Sequence, residues 1–255
     1  MKSKPHPLTY GLPICLALFL LGCTGGPAPE EESATPPVVE RAINAHGMDR
    51  LDSVDMSFTF REREYTIERE RGRYRYTRTF TDSLGRRVYD EVTNAGLSRR
   101  INDTLTTLTP EDSAAYANSV NSVRYFIMLP YVLRDPAVRV DQLPAVTIDG
   151  KPYDRIRVTF AAEGGGEDHG DIYHYFFNRD TGELDYLAYA FDVNDGGLRF
   201  RRAINKRRVG GVLVQDYVNY GTDGEDRDID RIVEKYAAGE LPQLSVIENV
   251  DVRIR

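Results

Sequence analysis

Few side chains in this sequence are spaced for chemistry. The densest group lies in Gly164-Gly165-Gly166-Glu167-Asp168-His169-Gly170-Asp171. There Asp168, His169 and Asp171 offer a divalent metal two carboxylates and an imidazole, with His174 close by. His169 and His174 are five residues apart, on opposite faces of any regular strand, so the segment reads equally as an acidic hairpin loop. His46 precedes Gly47, a helix stop, where it either meets the last helix carbonyls or contacts a ligand. Arg199, Arg201, Arg202, Lys206, Arg207 and Arg208 form a basic run. Its arginines suit phosphate or carboxylate head groups, and the run equally suits cross-strand acids such as Asp185 and Asp216. Asp223, Glu225, Asp226, Asp228 and Asp230 lack the Gly and terminal Glu of an EF-hand loop, and fit a helix start instead. No nucleophile elbow, Walker loop, zinc-protease motif or dinucleotide fingerprint is present, so neither a catalytic residue nor a cofactor is assigned.

Cys23 points to covalent chemistry of another kind. Lys2 and Lys4 precede an apolar run, Ile14 to Leu21, that is far shorter than the roughly 20 residues needed to span a bilayer. Its length and flanks fit a cleaved secretion signal. The run ends in Leu20-Leu21-Gly22-Cys23, which resembles the lipobox of bacterial lipoproteins, where the cysteine is acylated and becomes the new amino terminus. Residues 1–22 are therefore expected to be removed, and 23–37, rich in Gly, Pro, Ser and Glu, to form a lipidated flexible tether. Two or three acyl chains would make that attachment stable. Thr24 supplies no strong retention cue, which favours the outer membrane of the cell envelope.

Composition narrows the partners. Without Lys2 and Lys4 the chain has 31 basic and 40 acidic residues, a net charge of −9. That field excludes nucleic acid as a partner bound through general electrostatics. Cys15 leaves with the signal and Cys23 is acylated, so no disulfide is expected. Only Lys151, Lys206 and Lys235 remain as possible Schiff-base lysines.

The remaining residues, 38–255, are expected to form one domain. Val39, Ala42, Ile43 and Ala45 recur at helical spacing before Gly47. From Val54 the period becomes two: Met56, Phe58 and Phe60 alternate with polar residues, as do Tyr74, Tyr76 and Phe80. Thr109-Pro110-Glu111-Asp112 opens a second helix, with Tyr116, Val120, Val123 and Ile127 on one face. Phe126, Ile127, Met128 and Leu129 are four successive apolar residues, more than one helix stripe can bury. Two of the four are therefore expected to face an internal cavity. Strands follow around Ile156, at 171–177 and 184–193 across the hairpin loop Asn178 to Gly182, and at 198–205 and 212–220 across Gly210-Gly211. A short helix near 226–238 precedes a last strand at Val250, Val252 and Ile254. In the 184–193 strand, Tyr186 and Tyr189 fall on opposite faces and both faces are apolar, so both need cover. The expected class is α+β and mainly antiparallel: a curved sheet or half-barrel with covering helices.

This order of elements is similar to the lipoprotein-carrier (LolA-like) fold. Ala42 to Gly47, Ser119 to Phe126, Glu163 to Asp168, Asp185 to Tyr189 and Gly196 to Arg201 resemble a family of uncharacterised bacterial lipoproteins. Some of its members carry a deoxyribose-phosphate aldolase label. Such aldolases need a Schiff-base lysine in a parallel barrel, and this antiparallel pattern offers no such framework. The resemblance implies a cavity for an apolar or lipid-like ligand. Candidate contacts are Phe126, Ile127, Met128, Leu129, Tyr186, Tyr189, Arg199, Arg201 and His46. Two further readings stay open: a metal-assisted enzyme built on the 163–171 loop, and a structural envelope lipoprotein with no small ligand.

Overall fold

A computed structural model describes residues 35–161, 170–191, 196–224 and 226–255. The signal segment, Cys23, the tether up to residue 34, and Asp168 and His169 lie outside the described residues. Residues from Thr35 onward form one compact unit.

Helix α1 (Pro37–His46) starts on a proline and buries Val39, Ala42, Ile43 and His46, a stripe at helical spacing. Gly47 ends it in the left-handed region, with φ of 66°. A side chain there would also place its Cβ 2.5 Å from the Gly211 carbonyl oxygen, so this glycine permits both the turn and the approach of the Gly210-Gly211 hairpin.

Two curved, unclosed antiparallel sheets follow. The first is built from β1 (Ser53–Phe60), β2 (Arg63–Glu70), β3 (Arg73–Thr81), β4 (Arg87–Thr93), β5 (Gly96–Ile101) and β6 (Thr104–Leu105), with β14 (Val250–Ile254) on its outer edge beside β1. The second runs β13-β12-β11-β10-β9-β8-β7. These strands are β7 (Val138–Ile148), β8 (Lys151–Phe160), β9 (Ile172–Asn178), β10 (Leu184–Phe191), β11 (Gly197–Val209), β12 (Val212–Asp223) and β13 (Gln243–Ile247). Apart from β14, each sheet is a meander in which strands consecutive in sequence lie side by side. Between the sheets in sequence lies α2 (Pro110–Ile127), capped by the Thr109 hydroxyl, which accepts from the Asp112 N–H. A 3-10 turn (Tyr131–Arg134) follows it. A second such turn (Ile229–Arg231) leads into α3 (Ile232–Ala237). The α+β, mainly antiparallel class expected from the sequence is the class adopted.

Two cores hold this together. The larger one joins Met56, Phe58, Tyr65, Ile67 and Tyr76 of the first sheet to Ile156, Val158, Tyr175, Phe177, Leu187 and Tyr217 of the second, with Val39, Ile43 and Val120 from the helices. The smaller lies on the opposite face of the second sheet. There Phe176, Tyr186, Ala188, Leu198 and Phe200 are covered by Ile229, Ile232 and Leu241. Strand alternation sends Tyr175 and Phe177 to one core and Phe176 to the other, so one strand serves both. Burying each such side chain contributes about 1.5–3 kcal/mol, which makes covering both faces worth two extra elements.

Candidate functional site

The end of α2 does not close fully against the sheets, and a partly open cavity of about 350 Å³ remains there. That size falls within the roughly 300–1,000 Å³ of small-molecule pockets. Helix α2 contributes Ser119, Ser122, Val123 and Phe126, at offsets of three, four and seven, hence one face, and its last residue, Ile127. The β1–β2 hairpin contributes Phe60, Arg61, Arg63 and Tyr65. The second sheet supplies Arg201, Tyr217 and Ile247, the last two being cross-strand partners, and Asn249 comes from the link into β14. Seven of these thirteen residues are apolar or aromatic, three are arginines and none is acidic.

A buried charge cluster fixes α2 over the first sheet. Arg78 and Asp90 are partners across β3 and β4, and Asp90 and Arg99 across β4 and β5. Asp90 accepts from Arg78 Nε and Nη2 at 2.9 and 2.6 Å, and from Arg99 Nε at 2.5 Å. Arg78 Nη1 also donates to the Ser119 hydroxyl at 2.6 Å, and the Arg99 guanidinium lies 3.3 Å from the centre of the Tyr116 ring. Two cations share one carboxylate, so this cluster carries one net positive charge beside the cavity. A second polar join sits behind Phe126, where the Tyr125 and Tyr175 hydroxyls are hydrogen-bonded at 2.6 Å. Burial pushes both phenols above their ordinary range, so both stay protonated.

The candidate contacts divide by position. Phe126 and Ile127 line the cavity, while Met128 and Leu129 are buried in the larger core. Arg201 lines it too. Its guanidinium lies 4.1 Å from the Phe126 ring centre, and Nη2 donates to the Tyr189 hydroxyl at 2.9 Å. Tyr189 stands one layer behind, with its ring 5.9 Å from that of Phe126.

Three candidates lie away from this cavity. Tyr186 points to the opposite face of β10, under α3, where its hydroxyl donates to Asp149 at 2.7 Å. Arg199 is held by the Asp223 carboxylate at 2.7 Å and by the Thr222 carbonyl, away from the cavity. His46 meets neither the cavity nor the helix carbonyls. It is fully buried, and its Nε2 accepts the Leu184 N–H at 3.0 Å. Burial, helped by Lys206 and Arg208, pushes its pKa down to about 3, so the ring is neutral.

In the rest of the basic run, Lys206 pairs with Asp185 and Glu183 and Arg207 with Asp216, whereas Arg208 donates to the Gly211 and Ala45 carbonyls and Arg202 meets the Tyr220 hydroxyl. Among the described residues, no group of three or more His, Cys, Asp or Glu side chains is placed to hold a metal. Asp171 sits at the start of β9, where it accepts from the Tyr173 hydroxyl at 3.4 Å. His174 is buried on the α3 side, with its pKa lowered to about 4 by desolvation.

Sequence reasoning missed Arg61, Arg63 and Tyr65, because β2 carries only two apolar residues among eight. The available signal was Phe60-Arg61-Glu62-Arg63, a two-residue connection between alternating runs.

No curated protein matches the chain. Among solved structures it is similar to a LolA superfamily protein from Nitrosomonas europaea, at 12% identity and a TM-score of 0.48, over 86% of this chain and 92% of that one. It is also similar to an outer membrane lipoprotein-sorting protein domain from Vibrio parahaemolyticus, at 7% identity and a TM-score of 0.47, over 85% and 92%. A DUF1329 family protein from Desulfovibrio piger matches at 8% identity and a TM-score of 0.42, over 85% and 91%. Residues 14–249 match a family of unknown function, DUF6503, and the chain belongs to that family.

Proposed function

We propose that this protein is an envelope lipoprotein, anchored through Cys23 in the outer membrane, whose single domain over 38–255 binds the apolar part of a lipid-like molecule. The observation that carries this reading is the cavity at the end of α2. Protein interiors are packed as densely as organic crystals, and a void of this size beside Phe126 and Ile127 leaves apolar surface without partners. A bound chain would supply those contacts. The tether and signal read from the sequence would hold the domain near a membrane, where such molecules are found.

The test uses the unlipidated protein from residue 24, since both cores are built from residues after 35. An environment-sensitive apolar dye should bind it, and Val123→Asp, which places a charge on the cavity wall, should weaken that binding roughly tenfold, about 1.4 kcal/mol. Circular dichroism should stay native, because Val123 is only partly buried. Equal dye binding by both proteins, or none by either, would overturn the reading.

A further inference from the structure

Among the described residues about half of the arginines pair with a carboxylate, and the three that line the cavity belong to the other half. Arg41, Arg75, Arg78, Arg99, Arg134 and Arg207 each pair with a carboxylate. Arg61, Arg63 and Arg201 do not: among the described residues, no carboxylate comes within 4.0 Å of them, although the chain has 40 acids to 33 bases. Their guanidinium groups rest instead on rings, Arg61 on Phe60, Arg63 on Phe80 and Arg201 on Phe126. Stacking of this kind leaves the edge N–H groups available. The Nε of Arg201 is buried without a hydrogen-bond partner, as are those of Arg124, Arg155, Arg157 and Arg202, and of these five only Arg201 lines the cavity.

Backbone conformation points the same way. Arg61 and Glu62 both have positive φ, 48° and 60°, as a two-residue hairpin loop requires. The corresponding loops at Arg71-Gly72, Asn102-Asp103 and Asp149-Gly150 each use Gly, Asn or Asp, which accept that region readily. Among these described loops only the one at the cavity lacks all three, so its side chains are kept at the expense of turn stability, a pattern that marks functional positions. Glu64 lies on the other face of β2, and Glu62 does not line the cavity.

We infer that the occupant is an anionic amphiphile, with its chain against Val123, Phe126, Ile127 and Ile247 and its carboxylate or phosphate head against Arg61, Arg63 and Arg201. The net positive charge of the Arg78–Asp90–Arg99 cluster adds to the same field. This rests on the lipid-binding reading above, and the experiment separates the two.

A medium-chain fatty acid, the alcohol of the same chain length and the matching monoalkyl phosphate are competed against the apolar dye on the unlipidated protein. At least one anion should bind roughly tenfold more tightly than the alcohol at low salt. In Arg61→Gln/Arg63→Gln that preference should collapse, with alcohol affinity unchanged and thermal unfolding close to wild type. Arg201→Gln provides a second, independent variant should the double substitution fail to fold. Preference for the acid alone identifies a carboxylate head, and for the alkyl phosphate alone a phosphate head. Equal binding of all three compounds, or an anion preference untouched by the arginine variants, overturns the inference and leaves the lipid-binding reading standing. Binding of none overturns both.

Discussion

His46 shows how a residue that looks like a ligand can be a joint. Its neutral ring ties the end of α1 to the start of β10 through the Leu184 N–H. In the unfolded chain this imidazole takes up a proton near its ordinary value of 6.5, whereas in the folded protein it resists protonation down to about 3. Between those values the unfolded state binds more protons, so stability contributed at neutral pH drains away as the pH falls. At about 1.4 kcal/mol per pH unit, the loss attributable to His46 by pH 4.5 is on the order of 3 kcal/mol. His46→Gln keeps an acceptor for Leu184 but removes the titration. Urea unfolding at pH 7 and pH 4.5 should show a smaller difference for the variant than for the natural protein. An identical difference would mean that the ring is not the source of the acid sensitivity. His174, lowered to about 4, adds a similar dependence and is left intact in this comparison.

Helix α2 is held by two fastenings of unequal strength. The Thr109 cap satisfies one amide at an exposed helix start, so Thr109→Ala should cost about 1 kcal/mol. Asp90 neutralises two buried guanidinium groups, and Asp90→Ala would leave both facing each other without a counter-ion. That change should cost about 3–5 kcal/mol, read as a fall in the denaturant midpoint. Costs of equal size for the two substitutions would mean that solvent screens the cluster. The cap was legible in the sequence because Thr109-Pro110-Glu111-Asp112 states it locally. The charge cluster was not, because Arg78, Asp90 and Arg99 meet only through the register of three strands, which depends on hairpin lengths. The apolar alternation in β1, β3 and β10 announced those strands, and the two-faced pattern of β10 announced cover on both sides. Strand β7 was silent for a different reason: Pro144 interrupts it at a register shift, which an edge strand tolerates and a central one would not. Of the thirteen cavity-lining residues, Phe126, Ile127 and Arg201 were therefore readable as candidates, while Arg61, Arg63 and Tyr65 of the charged β1–β2 hairpin were not.

At the scale of the whole molecule, the proposed anchor and the domain are separable by one atom. Cys23→Ser removes the sulfur that would carry the acyl chains, so the protein should leave the membrane fraction or accumulate with its signal uncleaved. Gel mobility and detergent partitioning of the two forms measure this. A Cys23→Ser protein that stays membrane-bound at the size of the mature chain would remove the basis for the anchor. The domain itself is knitted from its two ends. Strand β14 pairs with β1, so Met56 faces Ile254 across a ladder whose partners stand 198 residues apart. Strands β1 to β6 can assemble as soon as their hairpins exist, but the outer edge of β1 stays bare until the final segment arrives. Such a distant closure is slow, since the loop must be ordered before the contacts reward it. Through that interval the bare edge is a template on which another copy can add a strand. The domain's exposure to aggregation is thus concentrated in one period of its folding, and five residues at the far end of the sequence bring that period to a close.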